Sequence, residues 1–180
     1  MNTITIPRPQ ADEHNAYYSQ YISKVPDGDL VSTLRDQLVD TVKLLGGLSE
    51  EQGNYAYAPG KWSVKQVVGH IIDAERIFVY RALRIARHDT TNLPGFDENA
   101  FVDNANFATR TLADLLEELQ VVRAATIAFI KHVDPSDLER RGTSNGNPIT
   151  VRALCYIVAG HERHHAALFR ERYSAVLSGR

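Results

Sequence analysis

Apolar residues recur at intervals of three and four in four long stretches of the chain, the period of a helix with one buried face. In Asp29–Leu45 the stripe is Leu30, Leu34, Leu38, Val42 and Leu45, and Gly46-Gly47 stops it. A second helix is predicted from Ser63 to about His88. Ser63 and Gln66 match a capping box, and the stripe runs Val64, Val67, Val68, Ile71, Ile72, Ala74, Phe78, Val79, Ala82 and Leu83. His70 sits at the edge of that stripe. The third helix follows Thr111 to about Val133 through Leu112, Leu115, Leu116, Leu119, Val122, Thr126, Phe129 and Ile130, and Asp134-Pro135 ends it. The fourth, Thr150–Tyr173, carries Leu154, Ile157, Val158, His161, His165 and Leu168 on one face. Two imidazoles thus occupy places that a core helix gives to leucine.

The connections are uneven. Residues 1–10, with Pro7 and Pro9, read as an extended lead-in, and a short helical pattern runs from about Asp12 to Val25 with Tyr17, Tyr18, Tyr21 and Ile22. Pro26-Asp27-Gly28 then turns the chain. Leu48–Lys61 is rich in turn formers, and Asp89–Thr109 is a long crossover without a strong period, interrupted by Phe96, Phe101 and Phe107 and so expected to pack against the bundle. Ser136–Arg140 has room for one helical turn, and Gly142–Pro148 contains the hairpin-type pair Asn145-Gly146. No convincing strand appears. The expected fold is all-α: an antiparallel four-helix bundle over residues 26–178 with a long crossover connection, preceded by the lead-in and short helix of residues 1–25.

Composition narrows the function classes. At 180 residues the chain suits one domain; a net charge of −2 and a pI near 6.4 leave no electrostatic footprint for nucleic acid or an anionic membrane. The N-terminus lacks a signal-peptide pattern and no apolar run approaches the ~20 residues of a membrane span. Cys155 is the single cysteine, which excludes an intramolecular disulfide; among small apolar neighbours it reads as a packing residue. The expectation is a cytoplasmic protein acting on a small molecule, without nucleic-acid or membrane partners.

Of seven histidines, His14, His88 and His132 fall at predicted termini or among polar residues and read as solvated surface, and His164 lies about 100° round its helix from His165, facing away from the axis. His70, His161 and His165 remain. Imidazoles on a buried stripe need partners. His at i and i+4 converge on one centre, and a third from a facing helix completes a set with open coordination positions, as expected of a catalytic metal site. Asp73 and Glu162 are the nearby carboxylates that could assist as bases; Glu75 reads as a partner for an arginine of the bundle.

Three stretches carry a resemblance. GKWSVKQVVGHIIDAER (Gly60–Arg76), PGFDENAFV (Pro94–Val102) and TVRALCYIVAGHERHHAALFRERY (Thr150–Tyr173), with 91 residues between His70 and His161, resemble the DinB/YfiT-like superfamily of metalloproteins. The resemblance implies a bundle of up-down-down-up topology, a divalent metal (zinc or nickel) held by His70, His161 and His165, and a homodimer. It also implies an enzyme of the kind found among relatives, which include transferases dependent on bacillithiol, glutathione or mycothiol and a mycothiol-dependent maleylpyruvate isomerase. The leading expectation is therefore a low-molecular-weight-thiol S-transferase, with the crossover Asp89–Thr109 and the loop Gly142–Pro148 shaping the entrance to the metal. The alternatives are a metal-dependent hydrolase and a non-catalytic, stress-associated metal-binding dimer.

Overall fold

The protein, represented by a computed structural model, is described over residues 6–177. Its helices are α1 (Ser19–Ile22), α2 (Leu30–Leu45), α3 (Glu50–Gly53), α4 (Val64–Ala86), α5 (Glu98–Asn104), α6 (Leu112–Lys131), α7 (Val151–Arg172) and α8 (Ser174–Leu177). The four long ones are those the periodicity predicts, and each starts on a side chain that satisfies an otherwise orphaned amide. Asp29 accepts from Ser32 N (2.8 Å), Thr111 from Asp114 N (3.1 Å) and Thr150 from Ala153 N (3.2 Å). Ser63 and Gln66 form the reciprocal capping box at 2.8 and 3.3 Å.

The side-chain pairings set the directions of the helices. Between α4 and α6, Arg76 meets Glu118 and Glu75 meets Arg123, with Ala82 and Ile130 sharing a gap further on, so the two run parallel. Between α4 and α7 the numbers run oppositely: Trp62, just before α4, takes a bond from Tyr173 while Ala82 lies near Leu154. Helix α2 advances with α7, Gln37 reaching Ala159 and Thr41 reaching Glu162. Against α6 it runs in reverse, Leu34 facing Arg123 and Gly46 facing Leu116. The order is up-down-down-up, as the family resemblance implies. A parallel α4–α6 pair cannot be joined by a tight turn, which accounts for the long crossover between them.

The apolar core is divided into two clusters. One holds Leu30, Leu34, Phe78, Ala82, Ile130, Leu154 and Val158; the other holds Leu45, Val67, Ile71, Leu115, Leu119 and Phe169. Between them every long helix contributes buried polar groups: Gln37 and Thr41, His70 and Glu75, Arg123, and His161, Glu162 and His165. At the centre, fully buried Arg123 donates to both oxygens of Glu75 (2.9 and 2.8 Å), to Leu34 O (2.8 Å) and to Glu162 (2.8 Å). Burial alone would lower the pKa of this guanidinium, but the charges of Glu75 and Glu162 raise it.

Three sequence expectations are corrected. A small sheet exists, in the order β1-β2-β3: β2 (Arg141–Ser144) and β3 (Asn147–Thr150) form an antiparallel hairpin, and β1 (Asn92–Leu93) pairs parallel to β2. Strands of two and four residues are too short for alternation to register, although the hairpin turn was marked by Asn145-Gly146, whose φ values of 51° and 72° are what a primed turn requires. The helix expected over Asp12–Val25 is interrupted, because His14 is extended (φ −158°, ψ 161°) between the 3₁₀ turns Ala11–Glu13 and Ala16–Tyr18. His14 itself is buried, its Nδ1 within 3.0 Å of Asn15 O, where a solvated residue was expected. Residues 1–5 of the lead-in lie outside the described residues, but Ile6 is buried and its carbonyl accepts from Tyr156 Oη at 3.0 Å.

Candidate metal centre

His70 projects from the first half of α4, and His161 and His165 project one turn apart from the middle of α7. Because α4 and α7 are antiparallel neighbours, the three rings meet: their centroids are 4.6–5.0 Å apart in pairs. The Nε2 atom of His161 lies 3.1 Å from that of His70 and 3.2 Å from that of His165. One ring nitrogen from each residue falls within 4.8 Å of the other two, and no other such group of His, Cys, Asp or Glu occurs among the described residues. All three side chains are buried.

The electrostatics suit a cation. Burial lowers the His70 pKa to about 4, and burial, followed by the neighbouring histidines, puts His161 and His165 well below 6.5. Three neutral imidazoles at neutral pH present three lone pairs and only three N–H groups. A tetrahedral ion with Zn–N bonds of ~2.0–2.1 Å separates its ligand nitrogens by ~3.3 Å, close to the two short separations here. Three Nε2 atoms packed so tightly cannot all be satisfied by one another's protons, and the donor set is the one expected of zinc, nickel, copper or iron. The residues fit a divalent metal.

The surroundings hold the rings in place. Tyr21 and Phe78 meet His161 edge-on at 5.3 and 5.7 Å, and Trp62 lies over His70 at 4.8 Å. Tyr21 reaches His161 because α1 lies almost in contact with α7 at Gly160: a Cβ there would stand 2.1 Å from Tyr21 O. His164 is half-buried between Tyr21 and His165 but outside the group of three, as its helical angle predicts.

Neither neighbouring carboxylate joins the site. Glu162 turns aside from the histidines, toward α2 and α6, accepting from Thr41 (2.8 Å) and Gln37 and pairing with Arg123. Asp73 lies outside the group; burial raises its pKa, and its nearest cation is Arg76 at 3.9 Å. Glu75 has the bundle arginine expected of it, Arg123. Cys155 is buried in the apolar core with its thiol pKa pushed up to about 12, so it offers no nucleophile.

Two cavities flank the histidines. One, of about 370 Å³, exposes His70 and His161 and is bounded by Tyr18 and Tyr21, by the crossover at Gly95 and Phe96, and by the hairpin at Ser144 and Asn145. The other, of about 260 Å³, exposes His165 and is bounded by Tyr57, Trp62, Leu168 and Tyr173. The sequence marked the crossover and the hairpin as shaping the entrance. It did not mark the N-terminal tyrosines or Arg81, which also lines the larger cavity. For Arg81, a signal existed: it continues the face of His70, Ala74 and Phe78.

A family model described as the DinB superfamily matches residues 33–169. The chain belongs to the DinB superfamily. Its relatives include two proteins named "Putative metal-dependent hydrolase". One, from Oceanobacillus iheyensis, is 27% identical over 140 residues, covering 76% of this chain and 78% of that relative; the other, from Geobacillus kaustophilus, is 26% identical over 141 residues, with 76% and 78% covered. Among solved structures, YfiT from Bacillus subtilis superposes with a TM-score of 0.67 at 19% identity, covering 94% of this chain and 93% of that one. It is described as "a probable metal-dependent hydrolase with an unusual four-helix bundle topology". The likeness to YfiT concerns the fold. Among the described residues, no helix of this DinB protein is long and apolar enough to cross a membrane.

Proposed function

We propose that this DinB protein is a metal-dependent enzyme that joins two small molecules at the centre formed by His70, His161 and His165, as a low-molecular-weight-thiol S-transferase. The observation that carries this reading is the position of the histidines between two separate cavities, one reaching His165 and the other His70 and His161. Two approaches to one centre suit a two-substrate transfer, each cavity holding one reactant. When bound, a divalent cation, zinc or nickel, would supply the Lewis acidity that lowers the pKa of a thiol. The chain's own residues do the rest. The imidazoles stay neutral and free to donate lone pairs, Trp62 and Tyr173 wall the approach to His165, and Tyr21 and Phe78 keep His161 turned toward its partners. The thiol proton passes to solvent, the sulfur forms a bond to the electrophilic carbon, and the bond to the leaving group breaks as that group takes the electron pair.

Hydrolysis is the second reading, and the names of the relatives favour it. Water as the nucleophile gains from a general base. Glu162, one candidate, is committed to Arg123, and Asp73, the other, lies outside the histidine group. The test is a panel of low-molecular-weight thiols with a chromogenic electrophile, on protein loaded with zinc or nickel. Metal-dependent loss of the electrophile only when a thiol is present supports transfer. The same loss without thiol supports hydrolysis, and no turnover in either arm leaves a metal-binding protein without catalysis.

A further inference from the structure

The larger cavity has a second chemical end. Arg81 is buried to 3% exposure, yet among the described residues no carboxylate lies within ion-pair distance of it. Of its five N–H donors one goes to Pro94 O at 2.6 Å, the Tyr18 hydroxyl faces the guanidinium, and the Phe96 ring covers it with 5.9 Å from Cζ to the centroid. Glu98 also lines the cavity but is exposed at its rim and makes no ion pair with Arg81. Every other buried arginine here is neutralised: Arg123 by Glu75 and Glu162, and Arg152 by Glu13. A buried guanidinium without a counter-ion is costly unless an anion arrives to complete it.

A second, independent observation points the same way. Ser144, 5% exposed, lines the same cavity, and its Oγ has no hydrogen-bond partner. The fold brings it to the same end of the cavity as Arg81: Ser144 pairs with Leu93 across the β1–β2 ladder, and the next residue, Pro94, supplies the carbonyl that holds the guanidinium. Two incompletely partnered polar groups therefore line the sheet end of a cavity whose other end is the histidine centre.

We propose that Arg81 and Ser144 form a carboxylate-binding subsite, so that the ligand of the larger cavity is an elongated molecule with a carboxylate at one end and its reacting group at the other. The planar fork of a single guanidinium matches the two oxygens of a carboxylate, and a hydroxyl beside it can donate to either. The length follows from the helix. His70, Ala74, Phe78 and Arg81 lie on one face of α4, and eleven residues at ~1.5 Å each put the two end backbones ~16 Å apart. The Arg81 side chain leans back toward the N-terminal end of α4, toward His70, and shortens that span. Between the two ends, Ala74 and Phe78 give the α4 wall of the cavity an apolar stretch against which a hydrocarbon spacer can lie. The assignment of a reacting group rests on the proposed transferase reading; the carboxylate subsite does not.

The test uses metal-stripped full-length protein, so that its outcome is separate from any question of turnover. Calorimetric titration compares hexanoate, hexanamide and hexyl phosphate on wild type, Arg81→Gln and Ser144→Ala. Wild type is expected to bind hexanoate at least about tenfold more tightly than hexanamide, the scale of a charge-assisted hydrogen bond. The preference should fall to about onefold in Arg81→Gln and shrink severalfold in Ser144→Ala. Should Arg81→Gln fail to fold, the Ser144→Ala ratio decides. Equal affinities for hexanoate and hexanamide, no measurable binding of hexanoate, or a preference unchanged in the variants would overturn the subsite. Tighter binding of hexyl phosphate would overturn the choice of carboxylate.

Discussion

Replacing Arg123 with methionine tests whether the polar layer is held by one residue. Arg123 is the most buried charge among the described residues, with 0% exposure, and its four contacts tie α6 to α4, α7 and α2. Methionine fills similar volume but leaves two buried carboxylates without their cation. Glu162 keeps Thr41 and Gln37, whereas Glu75 keeps no hydrogen-bond or ion-pair partner among the described residues. Removing one member of a buried ion pair costs about 3–5 kcal/mol. For a domain of this size each kcal/mol moves Tm by roughly 2–4 °C, so the variant should melt ~6–20 °C lower. The assay is urea and thermal unfolding followed by circular dichroism, with chelator present so that metal binding does not add to stability. The triple variant Arg123→Met, Glu75→Gln, Glu162→Gln removes the charges together and should recover more than half of the loss. A single variant within about 1 kcal/mol of wild type, or a triple variant no better than the single, would refute the reasoning.

Other expectations follow from the same geometry. Gly160→Ala places a Cβ against the Tyr21 carbonyl and should cost about 2–3 kcal/mol in a denaturant titration, with loss of the Tyr21–His161 contact visible as a shifted histidine resonance. The metal-free protein should lose stability as pH falls. Its unfolded histidines take up protons near 6.5, whereas buried His70 resists to about 4, so the unfolded state binds more protons in that interval and stability rises with pH across it. Melting temperatures between pH 7 and 4 that stay level would contradict this. Cys155, with its thiol pushed up to about 12, should react with a thiol reagent only at the rate of global unfolding; rapid labelling of native protein would show the burial to be wrong.

The sequence made the four long helices legible because each has a wide stripe, a capping side chain and a stop. It made the three histidines legible because a buried stripe tolerates few polar residues, and three on two helices are hard to explain by packing. What it hid was local or long-range. α3 and α5 are short helices of four and seven residues, less than two full turns each, and β1–β3 have no room for alternation. The polar layer was hidden for a different reason: helical spacing does put Thr41 and Arg123 within the apolar stripes of α2 and α6, but no spacing along one helix shows their partners, and only the packing of four helices brings them to Glu75 and Glu162. Arg81 was missed because arginine late in a helix reads as solvated, and its burial depends on the crossover and hairpin closing over it.

The central claim is that His70, His161 and His165 together hold one divalent metal. Elemental analysis of protein purified without chelator, paired with a cobalt(II) titration read by its visible d–d bands, tests it most directly. The account predicts about one ion per chain, a tetrahedral cobalt spectrum, and loss of at least about tenfold in metal affinity in each of His70→Ala, His161→Ala and His165→Ala, while the neighbour His164→Ala keeps its metal. Metal far below one ion per chain after zinc or nickel loading, or full occupancy in the His165→Ala variant, would contradict it.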